Sequence, residues 1–223
     1  MGQIKKGILG GFSGKVGTVV GANWKTINYM RSLPQKGKNQ KPLTRAQLEH
    51  RAKFKLAIDY LKPLHEAIQI GWKNAVVGKQ SPFNLAVSHT IKNAITGTYP
   101  NFEIDHSKLL ISKGSLLPPS EAFVAFKTAD PVKSFNWRSI TNGSTANPKD
   151  IALVAVYNSD KKEVIVAFGR RILYGDPRRE TRRSAIRYPQ NWLNDTCHAY
   201  IGFISEDGKQ ASNSINFTDP YLY

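Results

Sequence analysis

The sequence contains a single cysteine, Cys197, among its 223 residues. One cysteine cannot form a disulfide within the chain, and it cannot supply a zinc site built from several thiolates. No apolar run approaches the ~20 residues that cross a bilayer, so we expect no membrane span. Glycines interrupt the start of the chain where a signal peptide would have its apolar core, and we predict no signal peptide.

Acidic residues are scarce in the first 100 residues, which contain only Glu49, Asp59 and Glu66 against 16 lysines and arginines. Residues 101–223 contain 16 basic and 13 acidic residues, and the whole chain carries +16. This asymmetry predicts two regions, 1–100 and 101–223. The first would bind a polyanion, which could be nucleic acid, an anionic membrane surface or an acidic protein surface, and nucleic acid or an acidic protein is the preferred partner. A solvated surface that only keeps the protein soluble is the alternative.

The chain also lacks the common signatures of catalysis. None of its five histidines is spaced as H-x-x-x-H, and neither H-E-x-x-H nor G-x-S-x-G occurs. Gly14-Lys15 is followed by Val16, so the phosphate-loop pattern fails. His198 directly follows Cys197, and neighbours on a strand point to opposite faces, which prevents a Cys–His dyad. We therefore expect no enzyme, no catalytic residue, no metal and no cofactor.

Basic side chains are the candidate binding residues. Those in the first region are Lys5, Lys6, Lys15, Lys25, Arg31, Lys36, Lys38, Lys41, Arg45, Arg51, Lys53 and Lys55. Arginines cluster in residues 170–187 of the second region, and the candidates there are Arg170, Arg171, Arg178, Arg179, Arg182 and Arg183. Arginine is suited to bidentate contacts with phosphate or carboxylate. A solvent-facing loop between strands is the alternative interpretation of this cluster.

Aromatic residues are interleaved with cations near the start of the chain. Val, Thr and aromatic residues predict strands over 16–20 and 26–30 with a turn at 21–23. Trp24 and Tyr29 resemble the rings on which single-strand binders stack bases. Their odd spacing, however, predicts opposite faces of a continuous strand. The alternative is that both rings pack on the helix predicted at 45–62.

Helical patterns fill residues 45–95. Thr44 and Gln47 match a capping box, which predicts a helix from 45 to 62 that Pro63 ends. The helical spacing then continues to Trp72, and Ser81-Pro82 predicts the start of a further helix that reaches Ile95.

Short strand candidates replace the helical patterns after residue 100. They lie at 108–112, 122–127, 133–138, 151–158, 163–168, 198–205 and 212–217. The fold class is therefore α+β, with an N-terminal Gly-rich β-ribbon and basic helices followed by an immunoglobulin- or fibronectin-like β-sandwich. Residues 200–214 resemble the last hairpin of fibronectin type III domains, and Phe135-x-Trp137 would supply the buried tryptophan.

Two further resemblances begin in the N-terminal part of the chain; the first runs the whole length, and the second rests on spaced residues between 31 and 72. Residues 7–17, GILGGFSGKVG, are similar to the opening of an uncharacterised family of Bacteroidetes proteins, and the similarity continues to Trp24 and Arg31. That resemblance implies no activity. A spaced pattern resembles small proteins of phage and prophage structural modules, which implies a role in virion assembly. It comprises Arg31-x-x-Pro34, Pro42-x-Thr44-x-x-Gln47-x-x-x-Arg51-x-x-Phe54 and Gln69-x-x-Trp72.

Three functions remain open from the sequence. The first is a non-enzymatic structural or assembly protein of phage-virion type that associates with itself or with other assembly proteins. Its basic N-terminal region would contact nucleic acid or an acidic partner. The second is a free cytoplasmic nucleic-acid-binding protein with little sequence specificity. The third is an enzyme that acts on a phosphate-containing substrate through the arginine cluster of residues 170–187.

Overall fold

The structure is a computed structural model that describes residues 2–4, 10–24, 26–33, 42–124, 131–138, 141, 145–169, 176–192 and 195–217. Its contacts divide the chain into two compact units, Met1–Thr44 and Arg45–Tyr223. The boundary expected between residues 100 and 101 does not coincide with this division. The helices that precede residue 100 share a hydrophobic core with the strands that follow it, which places them in one unit.

Unit 1 contains a four-stranded antiparallel sheet, here called the N-terminal sheet, whose strands are adjacent in chain order. They are β1 (Gln3–Ile4), β2 (Phe12–Val16), β3 (Val19–Trp24) and β4 (Ile27–Ser32). The chain reverses at Gly17-Thr18 and again between Trp24 and Ile27, so the turn predicted at 21–23 is wrong. β3 contains a glycine, Gly21, where β2 comes close to it. Any other residue would place a Cβ 2.3 Å from the carbonyl oxygen of Phe12.

Unit 2 begins with three helices at the predicted places. They are α1 (Arg45–Leu61), α2 (His65–Gly71) and α3 (Pro82–Asn93). Pro63 separates the first two, and the Ser81 hydroxyl caps the third by accepting a hydrogen bond from the backbone N–H of Asn84 at 3.2 Å. None of the described helices is both long and apolar enough to cross a membrane. A two-stranded hairpin, β5 (Ile95–Thr98) and β6 (Asn101–Ile104), follows α3. Its first residue, Ile95, is the residue that the predicted helix was expected to reach.

Two antiparallel sheets follow among the described residues of unit 2, and the predicted α+β class with a β-sandwich is confirmed. The outer sheet has the order β11-β8-β7, and the central sheet has the order β10-β9-β12-β13. The outer strands are β7 (Ser120–Val124), β8 (Val132–Arg138) and β11 (Arg183–Arg187). The central strands are β9 (Ile151–Asn158), β10 (Glu163–Phe168), β12 (Cys197–Ile204) and β13 (Ile215–Asn216).

The central sheet is the middle layer of unit 2, with helices on one face and the outer sheet on the other. On β9, Leu153 and Tyr157 belong to the core shared with the helices. Val154 and Val156, at alternate positions, belong to the core between the sheets, together with Trp137. Burial on both faces explains why β9 is a nearly continuous apolar run, which the sequence predicted with the correct bounds.

Two strand predictions need correction. Residues 108–112 form no strand, although Leu109 and Ile111 are buried. The Ser214 hydroxyl accepts a hydrogen bond from the backbone N–H of Ile111 at 2.8 Å, which satisfies this group outside any ladder. In contrast, β11 lies within the arginine cluster, where no strand was predicted and a solvent-facing loop was the alternative interpretation. Its inward positions are Ser184 and Ile186, so the arginines around them occupy outward positions.

Candidate nucleic-acid interface

One face of the N-terminal sheet combines aromatic rings with cations. Trp24 pairs with Ile27 and Ala22 pairs with Tyr29 across β3 and β4. Residues directly opposite each other in an antiparallel pair project to the same side, as do alternate residues of one strand. The side that carries Lys15, Trp24, Ile27, Tyr29 and Arg31 is here called the aromatic face.

Both rings of the aromatic face are accessible. Trp24 is 51% exposed and Tyr29 is 45% exposed. The prediction that they lie on opposite faces is wrong, because it assumed one continuous strand. The chain reverses between Trp24 and Ile27, which puts the two rings on neighbouring strands in the same orientation.

Two predicted cations lie at the other end of the aromatic face. Val20 of β3 pairs with Lys15 on one side and with Arg31 on the other. The three residues form a cross-strand row in which both cations are exposed. Eight other predicted basic residues lie outside the described residues: Lys5, Lys6, Lys25, Lys36, Lys38, Lys41, Arg170 and Arg171.

The opposite face of the N-terminal sheet has a different character. The Phe12 ring lies over Gly21, at 2.6 Å from the position that a Cβ would take. Asn23 donates a side-chain hydrogen bond to Asn28 at 2.8 Å, and Met30 is 70% exposed. No lysine or arginine of the described residues lies on this face.

Helix α1 presents a second basic surface. Arg51 and Lys55 are exposed and lie four residues apart, which places them on one side of the helix. Together with His50 and Phe54 they line a shallow concavity, and Phe54 is 48% exposed. No carboxylate among the described residues lies within 4 Å of either cation, since their side chains form none of the ion pairs found there.

The other two predicted cations of α1 already have partners. Arg45 donates from Nε to Glu49 at 2.9 Å, one turn further along the helix. The Lys53 ammonium lies 4.9 Å from the centroid of the Phe102 ring, a distance that allows a cation–π contact.

The arginine cluster does not act as one surface. Arg179 is 1% exposed and pairs with Asp150, so its guanidinium belongs to the core of unit 2. Arg178 lies 3.6 Å from a carboxylate oxygen of Asp176 and 3.9 Å from one of Glu180. Arg182 and Arg183 are exposed. Of the four described candidates in this cluster, only these last two are both exposed and without a carboxylate within 4 Å.

Arg183 belongs to a row across the outer sheet. It pairs with Asn136, which in turn pairs with Phe123, and Phe123 is 46% exposed. The Arg183 guanidinium donates from Nη2 to the Ser134 hydroxyl at 2.9 Å. This row presents one cation and one ring on either side of Asn136, on a smaller scale than the aromatic face.

A cluster of tyrosines and histidines lies between α1 and the central sheet, and the sequence did not predict it. The hydroxyl groups of Tyr60 and Tyr200 lie 2.9 Å apart, and Nδ1 of His106 lies 3.1 Å and 2.9 Å from them respectively. The His106 ring stacks on the His198 ring with 3.5 Å between centroids. No sequence signal marks this cluster, because its members come from α1, β12 and the loop after β6.

Burial controls ionisation in the Tyr–His cluster. Burial, together with the smaller effect of the neighbouring His106, lowers the pKa of His198 to about 4. Burial also lowers the pKa of His106, although Asp105 opposes this change. Burial raises the pKa of Tyr60 and of Tyr200 above the ordinary tyrosine value. At neutral pH these groups are therefore uncharged, and Nδ1 of His106 lies within hydrogen-bond distance of both hydroxyl groups.

Cys197 and His198 lie on opposite faces of β12, as predicted. His198 stacks on His106 on the helix side, whereas Cys197 packs against the core between the sheets. Burial raises the pKa of Cys197 to about 11, with Asp195 contributing, so the thiol stays protonated at neutral pH. Across the described ranges, no group of three His, Cys, Asp or Glu side chains is arranged to hold a metal ion.

Fold and surface together define an α+β chain whose N-terminal sheet presents cations beside accessible rings. The chain belongs to a family of unknown function, DUF6266, whose profile matches residues 11–218. This confirms the predicted membership of an uncharacterised family, while the Bacteroidetes origin and the phage resemblance remain predictions. No curated protein and no solved structure matches the chain significantly.

Proposed function

We propose that this protein is a non-enzymatic nucleic-acid-binding protein with a structural or assembly role. The observation that supports this most directly is the exposed pair Arg51 and Lys55 on α1, with no carboxylate within 4 Å among the described residues. Uncompensated cations on one side of a helix bind phosphates and release condensed counterions. The arginines of the second half support the proposal less, because Arg178 and Arg179 are already paired with carboxylates.

The test is binding of the full chain to labelled duplex DNA, measured by fluorescence anisotropy over a salt series. The logarithm of the binding constant should fall linearly with the logarithm of salt concentration. Removing two phosphate contacts with the variant Arg51→Gln/Lys55→Gln should make this slope shallower by about 1.8, at ~0.9 per contact.

The matched control removes two exposed charges elsewhere in unit 2. Lys149→Gln/Lys162→Asn changes turns that flank β9, where both lysines are exposed. Asparagine suits position 162 because Lys162 has a positive φ of 57°. This control should keep the slope of the unmodified protein. Absence of DNA binding at low salt, or equal slopes for the two double variants, would contradict the proposal. Tighter binding of polyglutamate than of DNA at equal charge would instead identify an acidic protein as the partner.

Strand β4 supports an assembly role as a second candidate. It is the edge strand of the N-terminal sheet, and all six of its residues are exposed. An exposed edge offers unpaired N–H and C=O groups to a strand of another chain. Virion-type assembly therefore predicts an oligomer whose mass rises with concentration in light scattering, and Met30→Lys should reduce that mass. If the protein instead binds nucleic acid free of any particle, its mass should stay constant as its concentration rises.

A further inference from the structure

We infer that the aromatic face of the N-terminal sheet binds single-stranded nucleic acid, with bases stacked on Trp24 and Tyr29 and phosphates held by Lys15 and Arg31. This inference rests on the proposed function, which it narrows to one class of nucleic acid and one surface.

The pairing of β3 with β4 sets the distance between the two rings. Trp24 faces Ile27, and Tyr29 is the next residue of β4 on the same side, so the rings are diagonal neighbours. The Cα atoms of diagonal neighbours lie about 7–8 Å apart across an antiparallel pair, which is within reach of aromatic side chains. Rings on adjacent strands of one sheet face form the platform on which single-strand binders stack successive bases.

Phosphate contacts are available beside this platform. Arg31 lies two residues after Tyr29 on β4, on the same side, and Lys15 lies across Val20 from it. A strand whose bases cover the rings would pass its backbone over this cationic row. In this arrangement the rings stack with the bases, and the two cations of the row bind the phosphates.

Single strands fit this face better than a duplex does. Paired bases are stacked on each other and do not offer their flat surfaces to a protein ring. Trp24 and Tyr29 are each about half exposed, and they project from the face of a sheet. They do not lie on a helix of the kind that enters the major groove of a duplex. Stacking on exposed rings needs bases that are already unpaired, and it tolerates any sequence.

The opposite face of the same sheet provides the internal comparison. Its ring, Phe12, lies over Gly21, and Met30, which is 70% exposed on this face, is neither aromatic nor charged. Met30 is a neighbour of Tyr29 on β4, so a substitution there perturbs the same strand without changing the aromatic face. Met30→Ala is therefore a matched control for Tyr29→Ala.

The experiment compares binding of the full chain to oligothymidine, oligouridine and a DNA duplex of equal length. Trp24→Ala and Tyr29→Ala should each weaken binding to the single strands by about 5- to 150-fold. Tyr29→Phe keeps the ring and should bind like the unmodified protein, which separates stacking from misfolding. Met30→Ala should have no effect, and duplex binding should not change in any of these variants.

The cations are tested through salt dependence. Lys15→Gln/Arg31→Gln should make the slope for the single strand shallower by about 1.4, at ~0.7 per contact, whereas Trp24→Ala should leave the slope unchanged. A preference for oligouridine, which lacks the thymine methyl group, would identify RNA as the ligand, because the 2′-hydroxyl is then recognised. Stacking itself is tested by the variants of Trp24 and Tyr29.

The outcomes distinguish this inference from the proposed function. The protein could bind duplex and single strands equally well, with Trp24→Ala and Tyr29→Ala binding as tightly as Met30→Ala. This result would contradict base stacking on the aromatic face and leave the proposed nucleic-acid binding intact. If no nucleic acid binds at low salt, the proposed function itself fails.

Discussion

Arg179 and Asp150 form an ion pair inside unit 2, with Nε 3.1 Å from Oδ2 and each side chain only 1% exposed. The guanidinium also donates from Nη2 to the carbonyl oxygen of Leu117 at 2.8 Å and lies 3.9 Å from the centroid of the Phe203 ring. The pair therefore joins the segment before β9 to the loop before β11. A buried charge loses its compensation when its partner is removed.

Asp150→Asn should lower the free energy of unfolding by about 3–5 kcal/mol, because it leaves the Arg179 guanidinium buried without its carboxylate. Urea denaturation followed by circular dichroism measures this loss. Arg179→Met/Asp150→Asn removes both charges and should recover part of it. A loss below about 1 kcal/mol for Asp150→Asn would mean that the pair is not buried in solution.

The stacked rings of His106 and His198 make stability depend on pH. Burial holds the pKa of His198 at about 4 in the folded protein, whereas a histidine in the unfolded chain has a pKa of about 6.5. Between these two pH values the unfolded chain therefore binds more protons than the folded protein. Stability should be fully present above about pH 6.5 and fall between there and about pH 4. Tyr60, Tyr157, Tyr200 and Asp105 are the other titratable groups around the pair.

His198→Phe keeps a ring for stacking and removes one of the two titrating imidazoles. The difference between the urea midpoints at pH 7 and pH 5.5 should therefore be smaller in this variant than in the unmodified protein. If both proteins lose the same stability over this interval, His198 is protonated as easily in the folded state as in the unfolded chain.

Gly21 is required where β2 approaches β3. Gly21→Val should disrupt the N-terminal sheet, since a Cβ would lie 2.3 Å from the Phe12 carbonyl oxygen, a backbone atom that cannot move alone. Hydrogen exchange should become faster in β2, β3 and β4 and stay unchanged in the central sheet. The thermal midpoint of unit 2 should change by less than about 2 °C.

Gly17→Asn is the matched glycine control. Gly17 has a positive φ of 57° in an open turn, with nothing within 4 Å of the position of a Cβ, and asparagine tolerates this conformation. Equal protection of the sheet in Gly21→Val and Gly17→Asn would contradict the close approach.

Local signals in the sequence were sufficient for much of the fold. Ser81-Pro82 specified the start of α3 through a side-chain cap. The hairpin predicted over residues 200–214 reverses near Gly208, which has a φ of 70°, and β13 then pairs with β12. The bounds of β9 followed from its apolar run, because burial on both faces suppresses alternation.

Features that depend on register or on tertiary contacts were not predictable in this way. Trp24 and Tyr29 share a face only because the turn lies between them, and a shift of the turn by a few residues reverses that result. Arg179 has the same side chain as the exposed Arg182, and tertiary contacts with Asp150, the Leu117 carbonyl oxygen and the Phe203 ring distinguish it in the core. Likewise, the Tyr–His cluster joins residues 140 positions apart in the sequence, such as Tyr60 and Tyr200.

Single-stranded nucleic acid on the aromatic face is the central claim, and fluorine NMR tests it most directly. The chain has four tryptophans, and Trp24 is 51% exposed whereas Trp72, Trp137 and Trp192 are 2–3% exposed. After labelling with 5-fluorotryptophan and assignment with Trp24→Phe, addition of oligothymidine should shift the Trp24 resonance and leave the other three in place. An unchanged Trp24 resonance in a sample whose anisotropy shows bound oligothymidine would contradict the account.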